Sequence, residues 1–280
     1  MAGLTAPEAS DVLRSAVSFL FVPGDRPERF AKAAATGADV VVIDLEDAVV
    51  EERRDSAREA VAAYLASGGR ACVRVNAVTS PHHHRDLAAL ADLPGLLAVM
   101  LAKADTRSSA ASVASLMDVP VIPLVESAEG VAHAYELAAT AGVVRLAFGH
   151  LDYALDIGAE PTWPAMLHAR SRLVHASRLA GLPGPVDGVT TALDDELILA
   201  DDLKRAQEVG LAGKLLIHPR QVAQTQAAFR PSAEAVGWAR SVLAAAGGGE
   251  AVRVDGHMVD APVLARAEAI LRRAEDVSGP

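Results

Sequence analysis

Residues 96–125 read LLAVMLAKADTRSSAASVASLMDVPVIPLV. Two short apolar runs, LLAVML at 96–101 and VIPLV at 121–125, flank a stretch near residues 108–117 with helical character. A strand, a crossover helix and a second strand form the unit from which parallel sheets are built. The alternation continues outward in both directions. Upstream, the spacing predicts strands at 18–22 (SFLFV), 40–45 (VVVIDL) and 71–75 (ACVRV), with helices at 27–36, 51–66 and 85–91 and Asp25 as a cap of the first. Downstream, it predicts strands at 143–148, 184–189 and 214–217, with helices at 128–140, 164–180, 194–209 and 222–228. Eight strands, each followed by a helix, favour an α/β fold of the closed (β/α)8 TIM-barrel kind. No GxGxxG follows the first strand, so an open dinucleotide-binding sheet loses its main support.

The tail departs from this rhythm. Helices are expected at 231–245 and 261–275, with a glycine break at 247–249 and an extended piece at 252–254 turning at Asp255-Gly256. The expected division is a catalytic barrel over residues 1–229 and a helical lid or oligomerisation extension over 230–280.

Composition sets the frame for function. The 280 residues are 51% hydrophobic and 4% aromatic, so the core is built from Ala, Val, Leu and Ile. A net charge of −10 argues against nucleic acid as a partner but leaves room for a local basic patch. The single cysteine, Cys72, excludes an intrachain disulfide and reads as a small buried hydrophobe. No apolar run reaches the length of a membrane span, and the first ten residues lack the pattern of a secretory leader. The expectation is a cytoplasmic protein without a membrane partner.

In a parallel barrel the active site lies at the C-terminal ends of the strands. Those ends carry Asp44, Glu46 and Asp47, then Arg74 and Asn76, Lys103, Glu126, Asp152, Asp156, Asp187 and His218. Any one of them is by default a solvated loop residue; together they converge on one mouth. Several carboxylates with cations suit a hard divalent ion and an anionic oxygen ligand. Glu126 and Asp152 end adjacent strands and can share Mg2+, while Arg74 can face a substrate carboxylate. Asp44, Glu46 and Asp47 can hold metal-bound waters, orient Arg74 or cap the next helix. The His82-His83-His84 run reads as a solvated loop rather than a metal tract. Arg26 and Lys32, after the first strand, are surface charges or phosphate grips.

In order, SFLFVPGDRPERFAKA, VVIDLEDAV, VRVNA, PLVESAEG, FGHLDYALDIG, GKLLIHPRQV and GHMVDAPVLARA resemble the HpcH/HpaI aldolase and citrate lyase β-subunit family, nearest its CoA-ester lyases. The resemblance runs from Arg14 to Ala267. It implies a Mg2+-dependent carbon–carbon lyase, with Mn2+ as a substitute, on a TIM barrel that assembles as a homotrimer or hexamer. By resemblance, Glu126 and Asp152 are the metal ligands, and Glu126 also borders the substrate. Arg74 contacts the substrate, and Glu46 and Asp47 lie beside the metal. Arg26 and Lys32 contact coenzyme A, and Asp260 reaches a neighbouring subunit's site as a catalytic acid/base. One departure stands out: Gly149-His150-Leu151-Asp152 replaces the Gly-Ala-Glu-Asp of many members. The implied reaction splits or forms a 3-hydroxy-acyl-CoA such as citramalyl-CoA or malyl-CoA, giving an acyl-CoA and a 2-oxo acid. The rival readings are a CoA-independent class II aldolase on 2-oxo-4-hydroxy acids, a CoA thioesterase, and a citrate lyase β subunit working on a carrier-bound citryl thioester.

Overall fold

The computed structural model describes residues 6–246, 253–254 and 257–276. Eight strands, β1 (Ser18–Pro23), β2 (Val40–Asp44), β3 (Ala71–Val75), β4 (Leu96–Leu101), β5 (Val121–Val125), β6 (Ala147–Phe148), β7 (Val186–Asp187) and β8 (Gly213–Leu216), pair in sequence order. Every pairing is parallel, and β8 returns to β1 through Phe19 opposite Leu215, closing the TIM barrel that the alternation predicts. Around it run α1 (Ala6–Ser15), α2 (Phe30–Ala34), α3 (Arg54–Ala66), α4 (His83–Leu90), α5 (Arg107–Leu116), α6 (Ala128–Ala132), α7 (Ala134–Ala138), α8 (His150–Asp156), α9 (Trp163–Leu179), α10 (Glu196–Val209) and α11 (Gln221–Phe229).

Strand alternation sorts the core into two layers. Phe19, Val42, Cys72, Met100, Ile122, Leu124, Ala147 and Leu215 belong to the cluster inside the barrel. Their neighbours Leu20, Ile43, Val73, Val99, Val125 and Phe148 pack in the layer shared with the helices. Cys72 is fully buried and its thiol is pushed up to about 12 by burial, so it is the inert core residue expected of it.

Several elements differ from the sequence reading. A 3-10 turn at Pro27–Arg29 precedes the short α2, and Asp25 caps neither; it pairs with Arg53 at 3.0 Å instead. The helix expected over 128–140 breaks at His133, whose Nδ1 lies 3.1 Å from the Asp105 carbonyl. The sixth strand spans only Ala147–Phe148; upstream, Val143 and Val144 touch β5 through an isolated bridge at Val121, and the Arg145 side chain runs to the barrel floor. The histidine run is not a solvated loop. His83 is buried in the first turn of α4 with Nδ1 2.8 Å from the Asn76 carbonyl, and His82 Nε2 lies 3.0 Å from Glu51.

Arg145 is fully buried, and burial lowers its pKa to about 9. Its guanidinium donates to the carbonyls of Leu13, Ala16, Gly184 and Ala212, which ties the end of α1 to the strand starts. Arg145→Met strands those carbonyls in the floor. We expect a loss of about 3 kcal/mol, a fall in thermal midpoint of roughly 6–12 °C, read by a melt. A midpoint within about 2 °C of the parent contradicts that role.

By compactness the chain divides into Met1–Gln226 and Ala227–Pro280. The second unit holds α12 (Ala233–Ala246), β9 (Arg253–Val254), β10 (His257–Met258) and α13 (Ala261–Asp276). Its own core joins Ala239 and Val242 to Ala267 and Ile270. The glycine break at 247–249 and the turn at 255–256 lie outside the described residues.

Candidate active site

The inward columns of the strands continue upward into polar residues. Two positions beyond Val42 stands Asp44, two beyond Cys72 stands Arg74, and two beyond Leu124 stands Glu126. Two beyond Ala147 comes Gly149, where a side chain is impossible: a Cβ would lie 2.3 Å from Glu126 Oε2. The three polar side chains therefore meet at the C-terminal mouth. They line a cavity of about 390 Å3 together with Asp47, His150 and Asp152. Phe21, Leu124, Val189 and Leu215 supply apolar wall.

Arg74 is held as a fork. Its Nε and Nη2 donate to the two oxygens of Asp44 at 2.7 and 2.6 Å, and Nη1 lies 3.2 Å from Glu46 Oε2. Its guanidinium also sits 4.9 Å from the Phe21 ring centre. Burial opposes its charge, but Asp44, Glu46 and Glu126 outweigh burial and keep it protonated. Asp44 in turn accepts the amides of Glu46 and Ala48, so it orients Arg74 and caps the following turn at once. Behind this group Asn76 and Asp86 brace the ends of β2 and β3. Asn76 donates to the Leu45 carbonyl and to Asp86, and Asp86 accepts from Arg58 at 3.0 Å.

Glu126 is 3% exposed, and its Oε1 accepts the Lys103 amide at 2.7 Å. Burial pushes its carboxyl up to about 8; Arg74 and the Lys103 amide pull it down, while Glu46 and Asp152 push it further up. Glu46 is likewise raised by burial, and Arg74 and Lys103 oppose the shift. Among the described residues no three His, Cys, Asp or Glu side chains cluster closely enough to cage a metal. Glu126 and Asp152 line the same cavity, and two carboxylates could hold a hard divalent cation that keeps water and substrate oxygens in its remaining positions. A buried carboxylate that is costly to ionise alone fits such a cation well.

The structure redistributes the other sequence candidates. Arg26 and Lys32 are exposed and stand outside the cavity lining; Arg26 lies 3.9 Å from Asp25. Asp187 is not a mouth residue. Val186 takes the inward position on β7, so Asp187 turns outward and is fully buried between Arg170, at 2.7 Å, and Lys214, at 2.9 Å. His218 also leaves the mouth; its Nδ1 accepts the Arg220 amide in the turn before α11. Asp260 is exposed in the second unit and caps α13, accepting the Val263 amide at 3.1 Å. Asp156 accepts the Ala128 amide at the start of α6.

Sequence reasoning gave one participant no role and named another only as a cation at a strand end. His150 lines the cavity with its ring against Gly188, where a Cβ would lie 2.1 Å from Nδ1. Burial and then Arg170 lower its pKa to about 4. The substitution at Gly149-His150 was the available signal. Lys103, expected only as a cation, also enters through its main-chain amide on Glu126, which no residue pattern announces.

Comparison with known proteins gives the family and the fold. The family model described as HpcH/HpaI aldolase/citrate lyase matches residues 17–219. A citrate lyase subunit beta-like protein of Mycobacterium tuberculosis is 40% identical over 268 residues, covering 93% of this chain and 96% of the relative. An L-malyl-CoA/beta-methylmalyl-CoA lyase of Cereibacter sphaeroides is 32% identical over 301 residues, covering 92% and 94%. Among solved structures, the protein CitE from Mycobacterium tuberculosis, in complex with magnesium, acetoacetate and coenzyme A, superposes with a TM-score of 0.83 at 38% identity. That likeness covers 94% of this chain and 99% of CitE.

Proposed function

The chain belongs to the HpcH/HpaI aldolase/citrate lyase family, and from that premise we propose that it is a Mg2+-dependent carbon–carbon lyase acting on a 3-hydroxy-acyl-CoA. The observation that carries the reading is the buried Glu126 beside Asp152 in one cavity with a carboxylate-anchored Arg74. Citramalyl-CoA and malyl-CoA are the substrates in view, split into an acyl-CoA and a 2-oxo acid or formed from them. CitE crystallised with magnesium, acetoacetate and coenzyme A, and the lyase name of the Cereibacter relative, support that class.

Glu126 and Asp152 would hold the metal. When bound, Mg2+ supplies Lewis-acid polarisation to the oxygens of the 2-oxo acid end. Arg74 enters the reaction already aimed, because Asp44 fixes its fork and Phe21 lies under its plane. Its remaining N–H groups face negative charge that develops as the carbon–carbon bond breaks, and a preorganised donor needs no reorganisation at that moment. Glu46 and Asp47 keep the arginine in place at 3.2 and 3.7 Å. Leu124, Val189 and Leu215 keep water from the enolate carbon. Asp260, from a neighbouring subunit of a homotrimer or hexamer, is the acid/base that delivers or removes the proton there. The cytoplasm is the compartment this reading expects.

The exposed positions of Arg26 and Lys32 favour a second reading, a CoA-independent class II aldolase on 2-oxo-4-hydroxy acids. A screen of malyl-, citramalyl- and citryl-CoA against free 2-oxo-4-hydroxy acids, with Mg2+ and mass detection, separates the two. Cleavage of a thioester to a 2-oxo acid supports the first; cleavage of free acids alone supports the second. The shared site has its own test. Inactive Asp260→Ala subunits mixed with inactive Glu126→Ala subunits should regain activity, and no recovery in verified mixed oligomers removes Asp260 from the site.

A further inference from the structure

Lys103 follows β4 by two residues, and its backbone is in an unusual conformation. Its φ is +47°, a region that L-residues enter rarely and that glycine enters freely. If the turn alone mattered, glycine would make it with less strain. In this conformation the Lys103 amide meets Glu126 Oε1 at 2.7 Å, and its ammonium meets Glu46 Oε1, also at 2.7 Å. The other oxygen of Glu46 faces Arg74 Nη1 at 3.2 Å. One residue therefore stands between the carboxylate proposed to hold the metal and the arginine proposed to face the substrate. Its side chain is 47% exposed, so packing does not explain its presence.

We infer that Lys103 is a positioning residue: its amide fixes Glu126, and its ammonium holds Glu46 against Arg74. The inference rests on the lyase reading above, with a small 2-oxo acid beside Arg74. Without the ammonium, Glu46 has Arg74 as its remaining charge partner at hydrogen-bond range, and Nη1, the nitrogen that Asp44 does not hold, is drawn to Glu46 and away from the substrate.

The test measures pyruvate binding at saturating Mg2+ by calorimetry in the full chain, with thermal midpoints alongside. Lys103→Met keeps the amide and the stem but removes the charge. It should weaken pyruvate binding by about tenfold or more, with a midpoint within about 3 °C of the parent. Lys103→Gly relieves the backbone strain, so it should melt no lower than the parent and still bind pyruvate poorly. Lys103→Arg should bind pyruvate more tightly than Lys103→Met. Pyruvate binding by Lys103→Met within about twofold of the parent overturns the inference alone. A Lys103→Arg variant no better than Lys103→Met overturns it too. A parent protein that binds glyoxylate alone is tested with glyoxylate in the same way; one that binds neither pyruvate nor glyoxylate with Mg2+ overturns the lyase reading and this inference together.

Discussion

Glu126→Gln abolishes Mg2+-dependent turnover, a loss of at least about 10^3-fold, equivalent to about 4 kcal/mol of transition-state stabilisation. The same substitution makes the metal-free protein more stable at pH 8. Both effects come from one buried charge. The Glu126 carboxyl is 3% exposed and titrates at about 8 in the fold, against 4.5 for the free side chain. The folded protein therefore holds a proton that the unfolded chain has released, so stability falls as pH rises from about 4.5 to about 8 and levels off above. Glutamine carries no such proton and flattens that slope, by up to about 5 kcal/mol across the window. Denaturant melts in EDTA across pH 4–9 read the slope, and calorimetry reads Mg2+ binding. Mg2+-dependent turnover by Glu126→Gln, or parallel pH slopes for the two proteins, contradicts the assignment.

Arg74→Ala should damage both stability and activity. It leaves Asp44, 2% exposed, with backbone amides but no cation, and leaves Glu46, 4% exposed, with the Lys103 ammonium and the Asp47 amide. Removing one partner of a buried ion pair costs about 3 kcal/mol or more, which lowers the thermal midpoint by roughly 6–12 °C. Loss of the preorganised donor lowers kcat by about 10^2-fold or more in the fraction that folds. Arg74→Lys restores a charge but not the fork that grips both oxygens of Asp44, so it should recover stability more than rate. A melt and a steady-state assay of the same preparations check this. Near-parental kcat in Arg74→Ala removes the arginine from the chemistry.

Much of this arrangement was readable from the chain. The strands at 71–75, 96–101 and 121–125 match their expected bounds because apolar residues fill both faces of each. The carboxylates of the mouth followed from where strands end. Strand parity would have gone further, since Asp44, Arg74 and Glu126 each extend an inward column by two residues. Parity fails where strands are short. With two residues in β7, nothing in the sequence tells that Asp187 faces out toward Arg170 and Lys214. The helix α8 was missed because Leu151, Leu155 and Ile157 are exposed, so the apolar pattern there marks no buried face. Lys103 was noticed as a cation, yet its amide depends on a dihedral angle that no residue type signals. Arg26 and Lys32 were read from their place after the first strand as surface charges or phosphate grips, and the resemblance alone gave them coenzyme A; in this chain they face solvent.

The central claim is that Glu126, Asp152 and Arg74 support metal-dependent carbon–carbon cleavage of a CoA ester. The most direct measurement incubates the protein with citramalyl-CoA and Mg2+ and identifies the products by mass. The account predicts pyruvate and acetyl-CoA in equal amounts, with turnover lost in EDTA and restored by excess Mg2+. Free citramalate with coenzyme A, or turnover unchanged by EDTA, would contradict it.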